Sequence, residues 1–367
     1  MRILFVTRKY PPSTGGMENA AYELYTALAA TQEVRLIKWG GSNKLLPVVY
    51  PLLTIRALWA SLTYRPDVIY LQDGLMAPMG RFLKFVSRCP TVMTIHGLEV
   101  TKDGGLYRKL IFPSMRRQTQ LVAISEETKR AVDSALPGKE AVIIHNGLRD
   151  AFYSAKPRKD KLAVIAQETD IDMPTLVQSR ILYTNGRLIK RKGVEWFVSS
   201  VMPELARDST RPILYLVSST GTDQAVIEAA IQAHGLQAQV KLLGRISDEL
   251  RDVLYNVADI FIMPNIPVPN DMEGFGLVAL EAASCGTTVV ASDLEGISDA
   301  IHDHKNGLLI QPLDVATYCK VITETLSKPL LDSAAVRQYT LSHYSWDTTA
   351  AAYVATMRAV SGAPGEH

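Results

Sequence analysis

Residues 273–286 read EGFGLVALEAASCG, a glycine-rich turn that leads into an apolar helix. Short apolar runs on either side, at 260–263 and 289–291, predict buried strands of a parallel sheet. Glycines let the backbone approach a ligand closely, and the first amides of a helix are free to donate. Glu273 lies before the predicted helix and Glu281 inside it. The turn can therefore hold a polyhydroxylated ligand between two carboxylates; the alternative is a buried helix start with two solvated glutamates.

The same alternation of short apolar runs and helix-length segments extends along the 367 residues, which are too many for one ordinary core. The first series of predicted strands comprises 3–7, 34–38, 68–71, 91–95, 121–124 and 141–144. The second series comprises 181–184, 213–217, 240–243, 260–263 and 289–291. We predict an α/β protein of two tandem, Rossmann-like, doubly wound domains. We place them at 1–165 and 175–345, on either side of a polar stretch, with an amphipathic helix at about 346–362.

Composition and charge exclude several classes of protein. A formal net charge of +2 and 21% charged residues give no sign of a nucleic-acid partner. Cys89, Cys285 and Cys319 are far apart, with neither zinc spacing nor an even count, so we expect the reducing cytoplasm. The N-terminal apolar run has no signal-peptide cleavage site.

Two cations flank the turn that follows the first predicted strand of the second series. Residues 185–193 read NGRLIKRKG, which puts Arg187 and Lys192 on either side of the turn. Both can converge on one diphosphate, Arg187 through its planar guanidinium and Lys192 as a point charge. A solvated basic turn is the alternative, for which Lys190 and Arg191 are the better candidates.

Turns after two strands of the first series also carry candidate binding groups, because ligands of such sheets bind beyond the carboxyl ends of strands. Gly15 and Gly16 precede a helix that begins near Met17, and such a turn presents amides to a phosphate. His96 and Gly97 end another predicted strand. A lone histidine is more often packed or solvated than functional.

Taken together, these segments resemble the retaining nucleotide-sugar glycosyltransferases of family 4 (group 1), which have the GT-B fold. The resemblance rests on Glu-x7-Glu at 273–281, Gly-Arg-Leu-x3-Lys-Gly at 186–193, Gly-Gly-x-Glu at 15–18 and His-Gly at 96–97, in the family's order. It implies two domains that face each other across a cleft and a terminal helix that crosses back to the first domain. The chain departs from the family pattern at 218–221, where a glycine-rich turn is usual, and in a longer loop at 265–272.

The resemblance also implies a role for each candidate residue. Arg187 and Lys192 would stabilise the departing diphosphate, Glu281 would bind the ribose, and the backbone at Ile246 would contact the base. Glu273 and His96 would contact the transferred sugar, so the implied catalytic set is Arg187, Lys192, Glu273 and His96. The implied donor-binding set is Gly15, Gly16, Arg187, Lys192, Ile246, Glu273, Gly274, Phe275, Gly276, Leu277 and Glu281.

The expected activity is metal-independent transfer of a hexose, with retention, from a UDP-, GDP- or ADP-sugar to a hydroxyl acceptor. No Asp-x-Asp pair occurs in a suitable loop, so the protein's cations would replace Mg²⁺, and no cofactor is expected. The resemblance favours bacterial-type glycan, polysaccharide or glycolipid assembly. The alternatives are an epimerase or phosphorylase on the same fold, a noncatalytic nucleotide-sugar-binding subunit, and a two-carboxylate glycosidase, which would need no phosphate grip.

Two segments of the first domain, where the acceptor is expected to bind, can each be interpreted in two ways. Residues 45–64 are apolar, but Pro47, Pro51 and Arg56 interrupt them, so we expect no transmembrane segment. In 104–117, apolar residues interleave with basic ones, namely Arg108, Lys109, Arg116 and Arg117. Both segments are either ordinary helices over the sheet or a face that meets an anionic membrane. The expected partners are the donor and a glycan or lipid-linked acceptor, in the cytoplasm or at the inner face of the plasma membrane.

Overall fold

The computed structural model describes residues 1–13, 15–101, 104–208 and 211–362. They form two compact units, each built around a six-stranded parallel sheet covered by helices. The first unit takes Met1–Gly147 and the chain from Tyr344 onward, and the second takes Leu148–His343. The predicted fold class, two Rossmann-like α/β domains in tandem, is confirmed.

The first unit alternates strands and helices. Its strands are β1 Arg2–Thr7, β2 Glu33–Lys38, β3 Val68–Leu71, β4 Thr91–Ile95, β5 Gln120–Ala123 and β6 Ala141–Ile143. Its first helices are α1 Gly16–Thr31, α2 Leu46–Thr63, α3 Ala77–Ser87, α4 Leu98–Thr101, α5 Gly105–Arg116 and α6 Glu126–Ala135. All six strands lie within a residue or so of the predicted runs. The central strands β3 and β4 are buried along their whole length, as expected of apolar strands in a parallel sheet.

The second unit repeats this architecture. Its strands are β7 Arg180–Asn185, β8 Ile213–Ser218, β9 Val240–Gly244, β10 Ile260–Met263, β11 Thr288–Ser292 and β12 Leu308–Ile310. Its helices are α7 Arg158–Glu168, α8 Met173–Gln178, α9 Val194–Trp196, α10 Met202–Asp208, α11 Gln224–Ala233, α12 Asp248–Val257, α13 Leu277–Ser284, α14 Ile297–Ala300, α15 Val315–Ser327 and α16 Ser333–His343. The three-residue edge strand β12 is absent from the sequence-based prediction. The last helix of the chain, α17 Trp346–Ser361, packs against α1 of the first unit.

Strand order determines where each unit can bind a ligand. The orders are β2-β1-β3-β4-β5-β6 and β12-β11-β10-β7-β8-β9. In each sheet the chain first moves to one side of its first strand and then reverses to the other side. The crevice outside the carboxyl ends of strands at such a reversal is the usual ligand site of open α/β sheets. The reversal lies between β1 and β3 in the first unit and between β7 and β10 in the second.

The boundary between the units differs from the predicted one. Residues 148–165 were placed in the first domain, but they belong to the second unit. Helix α7 packs on α12, and the Asn256 side chain donates to the Phe152 carbonyl at 2.7 Å and accepts from the Ser154 amide at 2.8 Å. Polar composition alone does not reveal such contacts, which explains the misplaced boundary.

Helix α2 contains two prolines and is nonetheless continuous. Pro47 and Pro51 do not interrupt it: Pro47 lies in the first turn, where an amide hydrogen has no helical partner, and the helix continues through Pro51. Within the described part of the chain, α2 is the one helix long and apolar enough to cross a membrane by length and composition, and 28% of it is buried. Its buried side, which includes Leu53, Ala57 and Ala60, packs into the core of the first unit.

Candidate active site

The turn after β7 brings two cations against the loop after β10. Lys192 Nζ lies 2.6 Å from Glu273 Oε2, and the Arg191 guanidinium lies 2.8 Å from Asp271 Oδ1 and 3.4 Å from Glu273 Oε2. The side chains of Lys192 and Glu273 are each 13% exposed, and that of Arg191 is 9% exposed. Arg187 is exposed on the same turn. The expectation that Arg191 is solvated is therefore wrong, because it is enclosed by two carboxylates.

Gly193 explains how the turn approaches β10 so closely. Its backbone has φ 66°, in the left-handed region, and an added Cβ would lie 1.8 Å from the Pro264 carbonyl oxygen. Beside this contact, the Ile266 amide donates to the Arg191 carbonyl at 3.0 Å. The glycine after Lys192 thus places the cations at the β7–β10 reversal.

Glu273 is a buried carboxylate held in its ionised form. Burial acts to raise the pKa of Glu273, but the charges of Lys192 and Arg191 outweigh it, and the pKa lies below its ordinary value. The Asn265 side-chain amide also donates to Glu273 Oε2 at 3.1 Å. The backbone amide of Glu273 donates to the Glu295 carboxylate. Glu273 is therefore anchored at its backbone and its side chain.

The glycine-rich turn itself presents backbone groups. Gly276 has φ 91° and precedes the first residue of α13, Leu277, with no side chain capping the helix. The Phe275 ring is buried, and an added Cβ on Gly296 would lie 2.2 Å from the Gly274 carbonyl oxygen. Neighbouring residues thus pack closely against the turn, and no side chain caps the first amides of α13. An uncapped helix start favours phosphate or hydroxyl oxygens.

Glu281 lies in a different environment, at the end of a chain of neutral groups. The Tyr255 hydroxyl donates to Glu281 Oε2 at 2.6 Å, and the Asn185 side-chain amide donates to that hydroxyl at 2.7 Å. Ser218 donates in turn to the Asn185 side-chain oxygen at 3.0 Å, and its hydroxyl lies 2.8 Å from that of Tyr183. Burial raises the pKa of Glu281 above its ordinary value, and the hydrogen bond from Tyr255 offsets only part of that rise.

The loops after β8 and β9 lie side by side. The Ser219 amide donates to the Gly244 carbonyl at 2.6 Å, and Ile246 is half-buried two residues further on. Ser247 accepts from the Leu250 amide at 3.0 Å and so caps α12. Ile246, just before this cap, remains a predicted base contact.

In the first unit, the turn after β1 depends on a close approach between Gly15 and Glu18. An added Cβ on Gly15 would lie 2.5 Å from the Glu18 carboxylate, and Lys9 Nζ binds that carboxylate at 2.8 Å. Helix α1 begins at Gly16. Thr14 of this turn lies outside the described residues. Arg8 and Asp73 form an ion pair at 3.1 Å between the ends of β1 and β3, which is the reversal of this sheet.

His96 follows β4 and is held at both its ring and its backbone. His96 Nε2 lies 2.9 Å from the Gln72 carbonyl, and the His96 amide donates to Glu99 Oε2 at 3.1 Å. A carbonyl can only accept, so Nε2 carries the hydrogen and Nδ1 of the neutral ring carries the lone pair. His96 can therefore accept a hydrogen bond from a hydroxyl group at Nδ1.

The structure places some of the predicted residues at the reversal of a sheet, whereas Ile246 follows β9, the strand at the far edge of the second sheet. Lys192, Arg187 and the 273–277 turn flank β7 and β10, while Gly15, Gly16 and His96 follow strands of the first sheet. Sequence reasoning missed a supporting set, namely Asn185, Arg191, Ser218, Tyr255 and Asn265. No sequence signal separates Arg191 from its exposed neighbours, and the tyrosine and serine read as core residues. Across the residues that the structure describes, no three His, Cys, Asp or Glu side chains are grouped to hold a metal ion.

Comparisons with known proteins identify the family of this chain. The family described as "Glycosyl transferases group 1" matches residues 168–340, and "Glycosyltransferase Family 4" matches residues 14–152. A D-inositol 3-phosphate glycosyltransferase of Geodermatophilus obscurus is 35% identical over 316 residues, covering 80% of this chain and 67% of the relative. A glycogen synthase of Mycobacterium tuberculosis is 26% identical, covering 96% of this chain and 93% of the relative.

The solved structures extend the likeness to the whole fold. The Anabaena protein Alr3699/HepE, crystallised in complex with UDP and glucose, superposes with a TM-score of 0.75 at 17% identity, covering 98% of this chain and 100% of that one. The same Anabaena protein has also been solved with UDP-glucose. With both family descriptions matched in order along one chain, and a relative 35% identical, this chain belongs to the group 1, family 4 glycosyltransferases of the GT-B fold.

Proposed function

We propose that this glycosyltransferase moves a hexose from a nucleoside diphosphate donor to a hydroxyl acceptor, with retention of the anomeric configuration and without a metal ion. The observation that carries the proposal is the Lys192–Glu273 pair at 2.6 Å, set at the reversal of the second sheet beside the start of α13. A cation, an uncapped helix start and a carboxylate meet there. The cation and the helix start can bind phosphate oxygens, and the carboxylate can accept hydrogen bonds from sugar hydroxyls.

Departure of the nucleoside diphosphate leaves negative charge on its phosphate oxygens. Arg187 and Lys192 follow the same strand, and preorganised cations at such a position commonly contribute 10²-fold or more to the rate. Glu273 holds Lys192 in place before the donor arrives. The charge of these side chains is what supports a reaction independent of Mg²⁺.

The donor's other groups find matching partners in the second unit. The Tyr255 hydroxyl donates a hydrogen bond to Glu281 Oε2, so Oε1 is the atom that would accept a hydrogen bond from a ribose hydroxyl. Ile246 follows β9 with its backbone beside the Gly244–Ser219 contact, where a base would be read by main-chain atoms. Such a site distinguishes bases weakly, so UDP-, GDP- and ADP-sugars all remain candidate donors.

A donor screen tests the proposal. Release of nucleoside diphosphate would be measured for UDP-, GDP- and ADP-sugars, with soluble glycan and lipid-linked acceptors, in the presence and absence of excess chelator. We expect release with one donor class, unchanged by the chelator, and a product of retained configuration by NMR. Loss of activity in the chelator with rescue by Mg²⁺ or Mn²⁺ would contradict metal independence. Donor binding without release for every acceptor would favour the noncatalytic alternative, and interconversion of donors would favour the epimerase.

A further inference from the structure

The outer side of α2 is an apolar stripe rather than the polar surface expected of a helix that covers a sheet. Five large side chains are exposed at i, i+4, i+7, i+11 and i+14, which places them on one side of the helix. They are Val48 (74% exposed), Leu52 (55%), Ile55 (64%), Trp59 (60%) and Leu62 (52%). Exposed apolar patches of this kind mark contact surfaces.

The neighbouring helices α3 and α5 share this property. Helix α3 contacts both α2 and α5, and all three pack on the same core of the first unit. On α3, Phe82 and Phe85 are 45% and 83% exposed, and on α5, Leu106 and Leu110 are 72% and 58% exposed. We call the exposed side chains of α2, α3 and α5 the three-helix surface.

The charge on the three-helix surface has a single sign. Helices α2, α3 and α5 contain no Asp or Glu. Their exposed cations, together with that of the residue after α5, are Arg56, Arg81, Arg108, Lys109, Arg116 and Arg117. This bias is local, since the whole chain has a formal net charge of only +2.

Helix α6 shows what an ordinary solvated helix looks like on the same core. Its buried Val132 belongs to the same hydrophobic cluster, but its outer side alternates in sign. Lys129 pairs with Asp133 at 2.8 Å, and Arg130 pairs with Glu127 at 3.0 Å. Because α2, α3 and α5 contain no acidic residue, no such pair forms within these three helices, and the single sign of their charge is a property of these helices and not of the fold.

We propose that the three-helix surface docks on an anionic lipid bilayer. Interleaved apolar and cationic side chains suit a membrane surface, because the apolar side chains can insert between the lipids and the cations are attracted to the lipid phosphates. A second copy of this chain is disfavoured, because a two-fold contact would bring like charges together. Because the buried side of α2 packs in the core of the first unit, α2 lies on the bilayer and does not cross it. Given the proposed transferase function, the acceptor is then lipid-linked.

Co-sedimentation of the full chain with vesicles tests this surface. We expect binding to phosphatidylcholine vesicles that contain phosphatidylglycerol, no binding to phosphatidylcholine alone, and weaker binding at high salt. Lys109→Gln/Arg116→Gln should weaken binding about thirtyfold. The control Lys129→Gln/Arg130→Gln changes the net charge equally but lies on α6, and it should bind like the wild type.

A second variant tests the contribution of the apolar stripe on α2. Ile55→Ser/Trp59→Ser keeps every charge and should weaken binding roughly tenfold or more, with circular dichroism confirming the fold. Equal binding to both vesicle types, binding to neither, or equal loss in the two charge variants would overturn the proposal. Self-association that Ile55→Ser/Trp59→Ser abolishes, without vesicle binding, would assign the surface to a second copy. The assay contains no donor or acceptor, so failure here leaves the transferase proposal intact, and failure of the donor screen leaves this one intact.

Discussion

The loop before α13 and the helix α13 itself each present one glutamate, and the two lie in opposite electrostatic environments. Glu273, in the loop, is 2.6 Å from Lys192 and has a lowered pKa. Glu281, in the helix, accepts from Tyr255 at the end of a neutral chain and has a raised pKa. Glu273 is thus paired directly with cations, whereas Glu281, eight positions on, accepts a hydrogen bond from a neutral hydroxyl, and the more distant charges of Arg251 and Arg149 do not outweigh its burial.

This difference teaches what each carboxylate can do. Glu273 is coupled to the side chain that would bind phosphate, so its charge tunes and orients Lys192. A neutral hydrogen-bond donor holds one carboxylate oxygen of Glu281. The other oxygen can therefore accept hydrogen bonds from the hydroxyl groups of a ligand. The two residues should therefore respond differently to the same substitution.

The largest expected effect is on turnover and concerns the two cations that would bind the diphosphate. Lys192→Ala and Arg187→Ala should each lower kcat by roughly 10² or more, because each removes one stabiliser of the leaving diphosphate. Steady-state release of nucleoside diphosphate measures this. The matched control is Lys190→Ala, an exposed cation of the same turn, which should retain wild-type turnover. Turnover near wild type in both variants, with true substrates, would contradict the assigned site.

Nucleotide affinity sharpens the comparison between the two glutamates. Glu281→Gln should weaken binding of the nucleoside diphosphate about tenfold, because a hydroxyl loses a charged acceptor. Glu273→Gln should strengthen it, because Lys192 no longer shares its charge with a carboxylate. Isothermal titration calorimetry of both variants measures the two changes. Weaker binding in both variants would show that the two carboxylates act alike and would break the comparison.

The pH dependence of stability should have opposite signs for the two glutamates. Ionised Glu273 stabilises the fold above its ordinary pKa of 4.5, and this contribution is lost as pH falls through its lowered value. Glu273→Gln should therefore cost about 3 kcal/mol near neutral pH, as for a broken buried pair, and less in acid. Glu281 stabilises the fold in its protonated form below 4.5 and loses that contribution as pH rises through its raised value.

Glu281→Gln imitates the protonated form, so it should gain stability relative to the wild type as pH rises above 4.5. Thermal unfolding of both variants and the wild type at matched pH values measures the two trends, and other titrating groups cancel in the differences. Parallel pH trends in the two variants would contradict the opposite pKa shifts.

Much of the fold follows from local sequence. The runs at 68–71, 91–95 and 260–263 coincide with β3, β4 and β10 because uninterrupted apolar segments of that length are buried on both faces of a parallel sheet. The edge strand β12 is not among the predicted runs, although it is as long as β6, which is. Pro51 lies inside α2, and the helix continues through it because the apolar side of α2 is anchored in the core.

The candidate site was predictable to a lesser extent. Residue spacing indicated Lys192 and Glu273, but Arg191 was taken for a solvated cation because its neighbours in sequence are basic. Its carboxylate partners lie 80 and 82 residues away, so only the packing of two strands reveals them. Ser218, which appeared only as a departure from a glycine-rich turn, donates to Asn185 and so supports Glu281 indirectly.

The sequence by itself determined the alternating α/β architecture, the family, and the residue types able to bind phosphate and hydroxyl groups, because those depend on local periodicity and spacing. The tertiary structure alone decided the strand order that brings the turn at 187–193, after β7, beside the segment at 273–281, which follows the neighbouring strand β10, and it decided the opposite pKa shifts of Glu273 and Glu281. It also showed which apolar and cationic side chains of α2, α3 and α5 are exposed. These properties arise from contacts between residues far apart in the chain, and no local pattern encodes them.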